Sequence, residues 1–223
     1  MFTSKTFKFL RDLEKNNNRD WFEANKHLYE ESVREPALEY IESMVPYLNK
    51  ISPHFIANPK KTGGSLMRVY RDVRFGKDKT PYKTNIGIQF RHAAGKDVHA
   101  PGFYLHIENR NVFVAGGIWH PDSATLSNVR LHVDENQTEW KKLSRQMTSK
   151  GFELQGDSLK KAPRGYDPEH PLIADLKRKD FMAVQNLKPS MVTDKDLVKK
   201  SAALFAATKP LIRLICESND LDF

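Results

Sequence analysis

Along the first fifty residues, apolar side chains return every three or four positions, the period of a helix with one buried side. Phe7, Leu10 and Leu13 carry that period across residues 3–15, until Asn16, Asn17 and Asn18 interrupt it. Asn18 is a good capping residue for a second helix, to which Trp21, Phe22, Leu28 and Tyr29 give an apolar side. Pro36 suits the first turn of a third helix, carrying Leu38, Ile41, Met44, Val45 and Leu48. Pro46 is expected to kink or end it. Residues 52–64, with Pro53, Pro59, Gly63 and Gly64, read as a connection.

From Leu66 the period changes. A short strand ending near Tyr70 is expected, then strands over 86–90, 102–108 and 111–118, where apolar residues alternate or run on. Asn109 and Arg110 make a two-residue hairpin connection between the last two. Asp122 or Ser123 can cap a helix running through His132, and Trp140, Leu143 and Met147 share one side of another over 138–150. A short strand over 152–154, an irregular stretch over 159–171, a helix near 172–178 and a strand near 181–187 follow. The last helix is expected over about 194–216, burying Leu197, Ala202, Leu204, Phe205, Leu211, Leu214 and Ile215. Helices, then strands, then helices predict an α+β fold: a mainly antiparallel sheet flanked by N-terminal and C-terminal helices, as a single domain over 1–223.

Charge and cysteine content narrow the setting. The chain has 223 residues and a net charge of +8, which favours anionic partners. Cys216 is the single cysteine, so an intrachain disulfide and multi-cysteine zinc sites are excluded. The N-terminus lacks the apolar core of a signal peptide, and no segment approaches membrane-spanning length. No membrane association is expected, and a cytoplasmic location is.

One run draws the cations together. MRVYRDVRFGKDKTPYKTN, at 67–85, holds Arg68, Arg71, Arg74, Lys77, Lys79 and Lys83, with Asp72, Asp78, Tyr70 and Tyr82 among them. Gly76 and Pro81 interrupt either regular period, so a structured loop is expected. Guanidinium forks suit carboxylate and phosphate. Arg68, Arg71, Arg74, Lys79, Tyr82 and Lys83 are therefore candidate ligand-binding residues, joined by Arg164 and Tyr166 if the 159–171 stretch closes over them. Three readings stay open. The loop builds a cationic pocket for a phosphorylated or carboxylated small molecule; it is a nucleic-acid-binding surface; or it is a structural loop whose charges pair internally. Should the protein be an enzyme, Asp72, Asp78 and Glu108 are the candidate acids or bases.

Other chemistry is less developed. His106 and Glu108 stand two apart on an expected strand and so share a face, with His92, His99, His120 and His132 as other histidines of the chain. Two same-face ligands are a fragment of a metal site, so hydrogen-bonded histidines are expected and no metal or cofactor. AGGIWHP reads as a strand end where backbone passes closely. Signatures of a P-loop, a dinucleotide fold, a nucleophile elbow, a helix-turn-helix or a zinc finger are missing.

Several stretches together carry a resemblance: NRDWFEANK (18–26), RVYRDVRFGKDKTPYKTNIG (68–87), PGFYLHIE (101–108), GGIWHP (116–121) and KKAPRGYDPEHP (160–171). They resemble a widespread bacterial and fungal family of conserved hypothetical proteins, a domain of unknown function with an RDxRFxKDKTPYK hallmark. The resemblance covers nearly the whole chain and implies one compact domain without an established reaction. Val73 and Gly76 stand where Thr and Ser are expected in many relatives, and Ala115 where Gly is.

Overall fold

The computed structural model describes residues 1–74, 76–95 and 99–223. Helix α1 (Ser4–Lys15) begins where Thr3 and Thr6 cap it reciprocally: the Lys5 amide donates to Thr3 Oγ1 at 3.2 Å and the Thr3 amide to Thr6 Oγ1 at 3.1 Å. The second expected helix is split. α2 (Arg19–Ala24), capped by Asn18 Oδ1 accepting from the Trp21 amide at 2.9 Å, stops at Asn25. α3 (Lys26–Tyr29) then passes through a π-turn (Glu30–Arg34) into α4 (Glu35–Ile51).

Pro36 accounts for that irregular turn, because it has no N–H to offer the Ser32 carbonyl four residues back. The carbonyl instead accepts from Thr6 Oγ1 of α1 at 2.7 Å, in a buried contact. A bond between two helices thus replaces a rung of one. α4 runs on through Pro46 to Ile51, so of the two expected effects of this proline, a kink or an end, it does not end the helix.

Five strands, β1 (Asn85–Arg91), β2 (Gly102–Glu108), β3 (Val112–Ile118), β4 (Glu153–Gln155) and β5 (Phe181–Asn186), form one antiparallel sheet in the order β1-β2-β3-β5-β4. The Asn109–Arg110 turn is as expected, with the Glu108 amide donating to the Asn111 carbonyl at 2.9 Å. The strand expected near Leu66 is corrected. This segment touches the sheet's edge only briefly, through Met67 N to Gly87 O and Gln89 N to Ser65 O, each 2.9 Å. It then leaves β1 to pair with its own return at residues 81–83, so no ladder builds up. Of the 172–178 helix only one turn forms, α7 (Ile173–Leu176). Helices α5 (Ser123–Glu135), α6 (Gln137–Ser149) and α8 (Leu197–Glu217) complete the α+β architecture.

Alternation gives the sheet two unlike faces. Ile88, Phe90, Phe103, Leu105, Val114 and Ala183 are fully buried on one of them. Phe205 of α8 meets Phe90 and Phe103 at ring-centre distances of 5.9 and 5.3 Å, and Tyr40 of α4 meets Phe90 at 6.3 Å. Each such ring contributes roughly 1.5–3 kcal/mol by leaving water. The opposite face mixes small, apolar and polar residues. One rung across it reads Gln89, Tyr104, Ala115, Val184, and the next reads Arg91, Gly102, Gly117, Met182.

Candidate functional site

The basic run folds into a clip that holds its own tip. Its base is closed by Lys83 N donating to Val69 O at 2.7 Å and Arg71 N to Pro81 O at 2.9 Å. Tyr82 is buried and stacks on Phe22 of α2, ring centres 4.0 Å apart, while Asn17 clamps its backbone through bonds of 2.9 and 3.1 Å. Toward the tip, charges pair inside the loop. Arg74 grips Asp72 with Nε and Nη2, at 2.9 and 2.6 Å, and Arg71 bonds Asp78 and Thr80. Lys79 Nζ donates to the Val73 carbonyl at 2.8 Å. Hydrogen bonds donated by the side chain and the backbone N–H of Arg74 hold the Asp72 carboxyl well below the usual carboxylate range. Thr80, through its amide and hydroxyl, and Arg71 bring Asp78 down to about 2.

At the base of the clip lies a cavity of about 880 Å³, floored by the open face of the sheet. Gln89, Tyr104, Phe113, Ala115, Met182 and Val184 line its floor, and Trp119 stands at its edge. Glycines at its floor let neighbouring strands lie close. A side chain on Gly102 would come 3.1 Å from Arg91 Cα, and Gly117, at φ +146°, would put one 2.9 Å from Met182 Cα. Among the described residues five cations line the walls: Arg34, Lys61, Arg68, Lys83 and Arg91. No Asp or Glu is among the lining residues that the structure describes.

Arg34 pairs with Glu30 and lies over the Tyr29 ring. Among the described residues, no carboxylate forms an ion pair with Lys61, Arg68, Lys83 or Arg91. Lys83 shows the strain of this arrangement. Burial pushes its ammonium pKa down, and the neighbouring Arg68 adds to the effect. A bound anion would relieve both cations.

A line of polar groups runs along β2. The hydroxyl of Tyr104, one of the residues lining the cavity, lies 3.2 Å from His106 Nδ1. His106 Nε2 faces Glu108 Oε2 at 3.5 Å, and Glu108 Oε1 accepts from Thr84 Oγ1 at 3.1 Å. Phe113 stacks on the imidazole, ring centres 4.6 Å apart and planes within 9°. Burial lowers the His106 pKa, and the carboxylate of Glu108 only partly opposes it. Burial raises Tyr104 to about 12, with the Glu108 charge adding to it. Gly87 makes room here, since a Cβ on it would sit 2.7 Å from the Tyr104 hydroxyl and 2.9 Å from Met67 Sδ.

Of the eight expected ligand-binding residues, Arg68 and Lys83 line this cavity, and Arg71, Arg74, Lys79 and Tyr82 are engaged within the clip or beneath it. Tyr166 sits elsewhere, edge-on to His170 with ring centres 6.4 Å apart, where His170 Nε2 meets Asp134 of α5 at 2.9 Å. Arg164 is exposed in the same 159–171 stretch, and neither residue lines the cavity. Asp72 and Asp78 are ion-paired, whereas Glu108 closes the β2 line. Among the described residues no group of three or more His, Cys, Asp or Glu is placed to hold a metal ion. His92 is buried, its Nε2 2.9 Å from the Asp222 carbonyl, and His120 lies beside Asp180.

Tyr104 and Arg91 were not singled out in the sequence, although the alternation that paired His106 with Glu108 puts Tyr104 on the same face. A larger hollow, about 1090 Å³, lies between α5, α6 and α8. Asp134, Glu135, Glu139 and Glu217 oppose Lys142, Lys209 and Arg213 there, so it does not select one sign of charge.

A family model described as Conserved hypothetical protein (DUF2461) matches residues 5–213. The chain belongs to this family. No curated protein matches the chain. The DUF2461 match runs from α1 into α8 and so includes the clip, the sheet and every residue named at the cavity. It attaches no reaction to them. No helix among the described residues is long and apolar enough to cross a membrane.

Proposed function

We propose that this DUF2461 chain works as a single domain over 1–223 that binds a small carboxylated or phosphorylated molecule with an apolar or aromatic body. The ligand lies on the open face of the sheet, its anionic group toward Arg68, Lys83 and Arg91. One observation carries this reading: a concave lining whose Lys61, Arg68, Lys83 and Arg91 meet no carboxylate among the described residues, over an apolar floor. Cations crowded without an answering charge raise the energy of the empty site, and an anion lowers it. A cavity of this size fits a small molecule. A nucleic-acid surface would spread its cations over an open face instead. The pairing of Arg71 and Arg74 inside the clip supports a structural role for the tip.

Phenyl phosphate, benzoate and inorganic phosphate, titrated at low salt by calorimetry and thermal melting, test the reading. Phenyl phosphate at a hundred times its Kd should stabilise the fold by about 2.7 kcal/mol, with inorganic phosphate weaker because it leaves the floor uncovered. Arg68→Ala should weaken binding about tenfold or more, from the loss of a charge-assisted contact. Binding that is absent at low salt, or unchanged in Arg68→Ala and Lys83→Met together, overturns it.

A further inference from the structure

We infer that Tyr104, His106 and Glu108 form a proton relay serving the cavity, with the Tyr104 hydroxyl exchanging a proton with an enolisable 2-oxo acid bound there. This rests on the anion-binding reading above. Three positions on one strand, two apart, put the groups in a row from cavity to sheet end. The Tyr104 oxygen stands 3.2 Å from His106 Nδ1, and Nε2 faces the Glu108 carboxylate at 3.5 Å. That ring nitrogen is buried and has no hydrogen-bond partner among the described residues. A buried imidazole nitrogen left without a bond, aimed at a carboxylate, is costly as structure alone. It becomes useful if the ring takes up positive charge during a reaction.

The lining chemistry narrows what the relay could do. Its described residues include neither cysteine nor carboxylate, and the Ser65 hydroxyl is occupied, accepting from Asn58 N at 2.9 Å and facing Ile56 O at 3.2 Å. Proton transfer beside cations, the arrangement that enolisation needs, is a chemistry this lining supports. Tyr104 donates its hydroxyl proton to Nδ1, so Nε2 carries the hydrogen toward Glu108 in the resting state. A C–H proton next to the substrate carbonyl passes to the Tyr104 oxygen while the tyrosine's own proton moves to His106. The electron pair of the C–H bond becomes the C=C bond, and the carbonyl oxygen gains negative charge beside Lys83 and Arg68. That oxygen takes a proton from the Lys83 ammonium, and the imidazolium facing Glu108 later returns its proton to water, which also reprotonates Lys83. Burial disfavours a charged His106 ring at rest, Phe113 stacks on it, and Glu108 stands where it opposes that penalty once the ring takes a proton.

The probe is phenylpyruvate, whose keto and enol forms differ in ultraviolet absorbance, with binding followed in parallel by calorimetry. The full chain should speed interconversion over buffer. Tyr104→Phe should lose about 100- to 10,000-fold of that rate, the usual share of one acid–base group, with binding and melting temperature retained. His106→Gln should lose a similar share of rate while still binding. Independently of any ligand, nitrogen-15 spectra of His106 should show hydrogen on Nε2, and hydrogen on Nδ1 in the resting protein overturns the relay. So does phenylpyruvate that binds without faster interconversion, or a Tyr104→Phe rate equal to wild type; both leave the anion-binding reading standing. Failure of phenylpyruvate and phenyl phosphate alike to bind overturns both.

Discussion

Gly116 and Ala115 are neighbours on β3 whose substitutions should behave oppositely, and the pair tests the division of the sheet into a packed and an open face. A Cβ on Gly116 would lie 2.7 Å from Thr208 Cβ and 3.2 Å from Ile212 Cδ1, and closer still to Thr208 Oγ1. Carbon atoms pack at about 3.5–4.0 Å, so α8 would have to retreat by roughly 1 Å. Thr208 has little freedom to give way, being 1% exposed with its hydroxyl bonded to the Phe205 carbonyl at 2.9 Å. Overpacking of this kind costs about 1–3 kcal/mol, and the double clash puts Gly116→Ala in the upper half of that range. For a chain of this length that is a fall in Tm of about 4–12 °C.

Circular dichroism melts, with urea midpoints as a second measure, read the effect. Thr208→Ala in the Gly116→Ala background should return part of the loss, since it removes Oγ1 and leaves the 2.7 Å Cβ contact. Ala115→Met, one residue away, projects into the hollow and should shift Tm by much less. Equal losses from the two single variants, or a Gly116→Ala melt within a degree of wild type, would refute the assignment of faces.

Other expectations are shorter. Ala115→Met, though folded, should abolish or strongly weaken phenyl phosphate binding by filling the floor, checked by the same calorimetry. Asp78→Asn should lower Tm only slightly, because its pair with Arg71 is exposed and screened by solvent. The sign of its pH effect is fixed: with the folded carboxyl depressed to about 2, its stabilising contribution is complete above the ordinary value near 3.8 and lost as pH falls toward 2. For His106 the folded pKa lies below 6.5, so the unfolded chain binds more protons just beneath that value, and stability falls as pH drops through the window. Urea midpoints compared across it should show a smaller pH slope in His106→Gln than in wild type.

Elements governed by local pattern were legible in the sequence. The caps at Asn18 and Asp122, the Asn109–Arg110 turn and the β2 and β3 strands follow from short-range rules. What was not legible depends on partners distant in sequence. Pro36 announces a helix start, yet the π-turn it sits beside works because Thr6, thirty residues earlier, takes over the Ser32 carbonyl. The segment after Leu66 has strand-like alternation, yet it changes partner from β1 to its own return and never forms a ladder. AGGIWHP reads as a strand end and β3 stops at Ile118, but that α8 presses on Gly116 and the β5 backbone on Gly117 depends on distant partners. Tyr104 could have been found, since the period that paired His106 with Glu108 includes it.

The clip explains why cation density alone misplaces the site. Charges along a loop tip lie close to one another, so acids interspersed among them are also close, and Asp72 and Asp78 neutralise Arg74 and Arg71 locally. Cations at the two ends of the loop escape that pairing. Lys83 N and Val69 O bond at 2.7 Å, which draws residues fifteen positions apart, Arg68 and Lys83, to one wall. The Tyr82–Phe22 stack and the Asn17 clamp fix the clip against α2 and hold that wall over the hollow of the sheet. The run therefore serves the cavity through its base, while its tip pairs its charges within itself. Exchanging Asp72 and Arg74 should then cost little binding, whereas loosening the stack by Phe22→Ala should release the base and weaken phenyl phosphate binding. Phe22 itself does not line the cavity, so unchanged binding in a folded Phe22→Ala protein would mean that the wall is held by β1 alone.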